Sequence, residues 1–282
     1  MSEATEITER TEAKAVAAVE AEAPKPESTG DPLLDMLLNS IAPLEATSKY
    51  MKLLVFGEPG CGKTTLGGGA PKLLIVDAEK GAVPLAGTAA SENVMKMKSI
   101  KQLELLIQYL KAGYKQFDKY ESILLDTLSE IHKRGLSEIA EREFKDPAQF
   151  NRSNRFLNEG ADHQENNERI RRIISDLRDL DRHIIVTCHV KRLMNKDQGV
   201  DKLMPDFSEK LVNTCNAVFD VVGYMSYEVQ MDGTDLRKLV VKSSGSHAVK
   251  TRINTFPPAI TNPTWPKLYA KYQEFLTANN GQ

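Results

Sequence analysis

Nine residues, GEPGCGKTT, could do chemistry on phosphate. Gly57, Glu58, Pro59, Gly60, Cys61, Gly62, Lys63, Thr64 and Thr65 combine glycines with a lysine and two hydroxyls. The spacing of Gly57, Gly62, Lys63 and Thr64 fits G-x-x-x-x-G-K-[ST] in full. Glycines permit a tight loop whose backbone N–H groups point inward at phosphate oxygens, and a helix N-terminus after the loop adds positive potential. Lys63 can reach the β- and γ-phosphates and Thr64 can ligate Mg²⁺. The pattern implies a nucleoside triphosphate site and says nothing of what the energy is used for.

Phosphoryl chemistry also needs carboxylates. In SILLDT, three apolar residues lead to Asp126, 63 residues after Lys63. This is the Walker B pattern, a carboxylate that holds Mg²⁺ through water. The next residue is Thr127, where many AAA+ ATPases carry a catalytic glutamate. A water-activating carboxylate must then come from elsewhere, and LLIVDAEKG, residues 73–81, offers one. Glu79 follows Lys63 by 16 residues, just past a strand end. A carboxylate there can orient and polarise an attacking water. Asp77 either orients Glu79 or caps the turn.

Such residues need elements that gather strand ends. Short apolar runs alternate with helical patterns from Met51 onward: strands at MKLLVFG, KLLIVDAE, NVMKMKS, SILLDT and HIIVTCH. Helices are expected at IKQLELLIQYLKAGYKQF, from Leu128 to about Arg142, at ENNERIRRIISDLRDL, at SEKLVNTCNAVF and at WPKLYAKYQEFLTA. The triplet Gly67–Gly69 should end the helix after the phosphate loop within about a turn and a half. DVVGYMSYEV and KLVVKSS read as late antiparallel strands around MDGTD, and residues 145–160 and 190–207 as loops. The pattern predicts an α/β fold, a mostly parallel sheet with helices on both faces. In such sheets ligands bind beyond the strand C-termini.

Totals set the limits. The 282 residues suffice for a sizeable core. Residues 1–30, acidic and without an aromatic, read as a disordered tail. Residues 31–48 read as a short apolar helix and linker, with Asp31 as cap and Pro32 at the first helical position. That helix packs on its own core or docks on a neighbour. The first 50 residues hold 10 acids and 4 bases, so an acidic tail masks a mildly basic body within a net charge of -2. That balance permits nucleic acid without arguing for it. Cys61, Cys188 and Cys215 form no paired framework and no zinc-type spacing, which fits a reducing cytoplasm. No run of a membrane span's length and no signal peptide is evident, so no membrane partner is expected.

Phosphate loop, VDAE with its glutamate, and LLDT together resemble the RecA/KaiC-type ATPase core. More narrowly, they resemble phage-encoded RecA-core nucleotide-binding proteins, some of which are Sak-type single-strand annealing proteins. The resemblance covers about residues 50–260. It implies a RecA-like P-loop NTPase core with ATP and Mg²⁺, ATP sandwiched between subunits of a ring or filament, and the host cytoplasm as location. It also implies single-stranded DNA as partner, with a single-strand binding protein as helper. HIIVTCHVKR resembles the strand that carries a γ-phosphate sensor; His189 stands where such proteins usually have Gln. HAVKTR resembles the segment that presents cations to a neighbour's γ-phosphate, a part for Lys250 and Arg252 in trans. An adenine-stacking aromatic after the glutamate is missing from AEKGAVPLAG, so ATP as the base is implied by the resemblance alone.

Two stretches could meet DNA. The first holds Phe150, Arg152, Arg155 and Phe156, cations interleaved with aromatics. The second holds Lys191, Arg192, Lys196 and Lys202, offset by Asp197, Asp201 and Asp206. The leading expectation is a DNA-stimulated ATPase that binds single-stranded DNA and promotes annealing or recombination. A nucleotide switch or motor in a protein assembly, without DNA, is the alternative. An AAA+ ATPase is disfavoured by Thr127 and by the lack of room for a helical lid domain.

Overall fold

Strands buried on both faces must be apolar on both faces, and the sequence supplies three such runs. β1 (Lys52–Gly57), β2 (Leu73–Asp77) and β4 (Ser122–Asp126) are buried along their whole length. The computed structural model describes residues 30–40, 48–145, 160–194, 201–242 and 245–280. The expected tail at 1–29, and Phe150, Arg152, Arg155, Phe156, Lys196 and Asp197, lie outside the described residues.

Contacts divide the chain into Met1–Glu45 and Ala46–Gln282. In the first unit, helix α1 (Pro32–Ser40) follows Asp31, whose Oδ1 accepts from the Leu33 N–H at 2.9 Å. The second unit holds the sheet.

The remaining strands are β3 (Val94–Lys96), β5 (His183–Met194), β6 (Asp201–Pro205), β7 (Val221–Val229), β8 (Asp235–Val240), β9 (Lys250–Thr251) and β10 (Ala259–Thr261). Among the described residues the sheet runs β10-β8-β7-β1-β5-β4-β2-β3, with β6 on β5 and β9 on β7. From β7 to β3 every pairing in that order is parallel; β8, β10, β6 and β9 pair antiparallel. The expected fold class, a mostly parallel α/β sheet with late antiparallel strands, is therefore the observed one.

Successive strand side chains point to opposite faces. Leu54 and Phe56, Leu74 and Val76, Ile123 and Leu125, Ile184 and Val186 all enter one core. Helices α3 (Ile100–Lys111), α4 (Leu128–Lys145), α5 (Gly160–Arg178) and α6 (Glu209–Val218) cover it with Leu103, Ile131, Ile170 and Leu211. Leu53, Val55, Ile75, Leu124 and Ile185 enter the other core. Helices α2 (Lys63–Gly68) and α7 (Trp265–Asn280) cover that face with Leu66, Trp265, Leu268 and Tyr272. Helix α2 is six residues long, as the glycine triplet predicts. Arg169 locks three helices of the first layer. Its guanidinium forks onto Glu104 at 2.6 and 2.9 Å and reaches Glu138 at 3.3 Å.

Two expectations need correction. Residues 190–207 are not a plain loop: β5 continues to Met194 and pairs with β6, Val190 opposite Pro205 and Met194 opposite Asp201. One side of this hairpin packs on the first core through Leu193, Leu203 and Met204, while Arg192, Met194 and Lys202 are exposed, so charges interrupt the apolar pattern and its composition reads as a loop. Helix α5 begins at Gly160, one turn before the expected start.

Candidate nucleotide site

Register decides which residues meet. Gly57 lies level with His189 on β5 and with Met225 on β7. Asp77 lies level with Asp126. The C-terminal ends of β1, β2 and β4 and the middle of β5 thus bring Gly57, Asp77, Asp126 and His189 to one edge. A cavity of about 310 Å³ opens there, lined by the loop residues Pro59, Gly60, Gly62, Lys63, Thr64 and Thr65 and, across from them, by Glu79, Asp126, His189 and Arg237.

The loop closes on itself. Buried Lys63 donates from Nζ to the carbonyls of Gly57 at 3.0 Å and Glu58 at 2.9 Å. Its third N–H goes to Cys61 Sγ at 3.8 Å, a weak acceptor that a phosphate oxygen would outcompete. Gly57 is required by close approach: a Cβ there would lie 2.2 Å from the Met225 carbonyl oxygen, a backbone atom of the neighbouring strand. Gly57→Ala must push β1 from β7, and overpacking typically costs about 1–3 kcal/mol, here at the upper end because the clash is with backbone. Urea unfolding should show that loss; a midpoint unchanged from wild type would mean that the strands part freely.

Thr64 Oγ1 donates to Asp126 Oδ2 at 2.9 Å, so the two expected metal ligands are in contact. Thr187 Oγ1 donates to Asp126 Oδ1 at 2.5 Å and fixes the carboxylate from the β5 side. Thr187 was not singled out from sequence, though it is the one hydroxyl inside the apolar run HIIVTCH. Thr127, standing where a glutamate was looked for, has another task. Its side chain accepts from the Glu130 N–H at 3.3 Å and caps α4. Ser129, in the same turn, accepts from the His189 N–H at 3.0 Å.

The two carboxylates of VDAE separate cleanly. Buried Asp77 accepts from the N–H groups of Glu79 at 3.2 Å and Gly81 at 3.1 Å, so it caps the turn. Glu79 remains for the cavity, with Oε1 3.3 Å from His189 Nε2. Its backbone is held from outside as well. Ala78 donates to the Asp126 carbonyl at 2.8 Å and accepts from Arg134 Nη2 at 3.1 Å. Arg134 Nη1 donates to the Lys98 carbonyl at 3.1 Å. No local pattern marks Arg134; only the packing of α4 under β2 gives it that place.

Burial raises the Cys61 thiol above its ordinary range and Cys188 well above it. Burial of this kind favours the thiol over the reactive thiolate.

Lys250 and Arg252 lie at the opposite edge of the sheet, where β9 pairs with Val221 and Val222. Lys250 Nζ donates to the carbonyls of Asn216 and Phe219. Arg252 donates to the Ala217 carbonyl and pairs with Asp220 at 3.8 Å. Both cations thus face the C-terminus of α6 and neither approaches its own chain's phosphate loop. A role in trans would require them to leave those carbonyls. Lys191 donates to the Phe207 carbonyl, and Arg192 lies 3.9 Å from Glu58 of the loop.

A family model described as AAA domain (AAA_24) matches residues 49–253. No curated protein matches the chain. Among solved structures, the flagellar accessory protein FlaH from Methanocaldococcus jannaschii aligns at 12% identity and a TM-score of 0.37, over 76% of this chain and 87% of that one. No helix among the described residues is long and apolar enough to cross a membrane.

Proposed function

The chain belongs to the AAA domain family, a nucleotide-binding P-loop ATPase, and from that premise we infer that it uses ATP to control its grip on single-stranded DNA and so promotes annealing. Membership corrects the argument against an AAA-type family. One ground of that argument is unchanged: Thr127 follows Asp126. The glutamate is accordingly sought at Glu79.

One observation supports the reading most. β5 is a single strand from the nucleotide cavity to the hairpin. It carries His189, within 3.3 Å of Glu79, and three residues later Arg192, exposed on the arm. Any movement of Glu79 and His189 when the γ-phosphate arrives or leaves acts directly on the base of that arm. Arg192 and Lys202 are its exposed cations among the described residues. Lys191, being engaged by Phe207, contributes less.

Thr64 and Asp126 fit Mg²⁺ by their chemistry, a hydroxyl and a carboxylate of the hard-oxygen kind. The ion would neutralise charge on the phosphoryl group being transferred. Glu79 would orient the attacking water, and His189 would hold Glu79 or the phosphate. A ring or filament with ATP between subunits remains part of the proposal, and Lys250 and Arg252 are its candidate trans cations.

The test is binding of a labelled oligonucleotide by wild type and by an Arg192→Glu, Lys202→Glu double variant in the presence of ATP. Affinity should fall steeply with salt. Charge reversal should weaken it by about tenfold or more, since every cation withdrawn from a phosphate leaves its counterions condensed on the DNA. Equal affinity of the two proteins, or no binding by either, overturns the DNA assignment and favours a switch that acts on a protein partner.

A further inference from the structure

The cavity contains a cation that no motif predicts. Arg237 lies on β8, two strands away from β1, in the stretch DLRKLV that reads as an ordinary late strand. Register explains how it arrives. Arg237 is opposite Tyr227 on β7, and Met225, two residues earlier, is level with Gly57. Its Cα therefore stands beyond the end of β1, on the side where the phosphate loop rises. Two strand spacings are about 10 Å, and the long side chain bridges most of that distance.

The guanidinium ends against the loop. A Cβ on Gly62 would lie 3.2 Å from Arg237 Cζ, Nε and Nη1. Gly62 has φ 99°, a conformation that L side chains rarely adopt, so it is bare on the side that Arg237 covers. The backbone of Arg237 is clamped from the other side: its N–H donates to Asn262 Oδ1 at 3.0 Å and its carbonyl accepts from the Asn262 N–H at 2.7 Å. Its guanidinium makes no hydrogen bond or ion pair with any described residue.

Arginine is charged at every accessible pH, and five N–H donors in a fixed fork suit a phosphate better than a single carbonyl. Here it shares a cavity with Lys63, so two cations converge on one space, and the N–H donors of the Arg237 guanidinium are still available. The acids of the same cavity, Glu79 and Asp126, are occupied with His189 and with Thr64 and Thr187. What the Lys63–Arg237 side complements is a polyanion.

We propose that Arg237 is a second phosphate-binding cation, supplied in cis by β8, which grips the nucleotide's phosphate chain from the side opposite Asp126. The proposal rests on the phosphate-loop reading and extends it. Bound nucleotide is then held jointly by β1's loop and the β7–β8 hairpin, so the antiparallel half of the sheet is part of the nucleotide site.

The test is equilibrium titration of the intact protein with a fluorescent ATP analogue, and its displacement by inorganic tripolyphosphate, for wild type, Arg237→Gln and Arg237→Lys. A melting curve without nucleotide checks that each variant is folded. Arg237→Gln should bind the analogue about 10- to 100-fold more weakly, the range for losing charge-assisted hydrogen bonds. Tripolyphosphate should lose affinity by the same factor, and Arg237→Lys should recover part of both. Arg237→Gln binding the analogue within twofold of wild type overturns the proposal and leaves the phosphate loop untouched. Undiminished affinity for tripolyphosphate overturns it too, since Arg237 would then be touching base or ribose. If wild type binds neither ligand, the phosphate-loop reading itself fails, and this proposal with it.

Discussion

Glu79→Gln is expected to lower ATP turnover by roughly 10²- to 10⁴-fold, the usual contribution of a positioned general base, with nucleotide affinity held or slightly raised. The substitution is close to isosteric. The turn that presents the side chain is fixed by Asp77, Arg134 and the Asp126 carbonyl, none of which needs the Glu79 carboxylate. An amide can still meet His189 across the 3.3 Å gap. Only charge and basicity are lost, and losing a negative charge beside a polyanion does not weaken its binding. Phosphate release and equilibrium titration on the same preparation separate the two effects. Wild-type turnover in Glu79→Gln would place the base elsewhere, and lost binding would give Glu79 a structural role.

The second large effect concerns stability in mild acid. His183, at the start of β5, is buried, and its ring meets Tyr50, Trp265 and Tyr269 edge-on at centroid distances of 5.4, 5.2 and 5.0 Å. Its Nδ1 accepts the Met51 N–H at 3.0 Å, so a proton on that nitrogen would break the bond. Burial pushes the imidazole down to about 4, with Lys52 and Lys49 acting the same way and Glu121 opposing. The unfolded chain therefore takes up this proton first. The contribution of His183 to stability is intact above the ordinary histidine value of about 6.5, is lost progressively as pH falls to about 4, and is then exhausted. The full loss is about 3 kcal/mol, of which roughly 2 kcal/mol has gone by pH 5. His183→Asn keeps an acceptor for Met51 and removes the titration. Urea midpoints at pH 7 and pH 5 should fall steeply for wild type and much less for the variant; parallel falls would assign the acid sensitivity to other groups.

Local pattern was a good guide wherever a chemical residue ends an apolar run. Gly57, Asp77 and Asp126 each close a buried strand, His189 follows the buried run of β5, and parallel register brings such positions together without further information. The short α2 was legible in its three glycines. The hairpin after His189 was not, because the residues it packs on the core, Leu193, Leu203 and Met204, are too few and too interrupted by charges to read as a strand. Lys250, on β9, and Arg252, just past its end, do turn to one face. What that face meets, the carbonyl end of α6, depends on a chain crossing some 30 residues away. Arg134 and Arg237 were invisible for the same reason. Their place follows from helix packing and from the order β8-β7-β1, which no window of sequence contains.

Under the proposed function, the nucleotide cavity and the β5–β6 arm act as one device through His189. Steady-state ATP hydrolysis with and without single-stranded DNA, at low and moderate salt, tests it most directly. The account predicts that DNA changes the turnover rate, that the change fades as salt rises, and that it disappears in the Arg192→Glu, Lys202→Glu variant. Hydrolysis at one rate under all these conditions would contradict it.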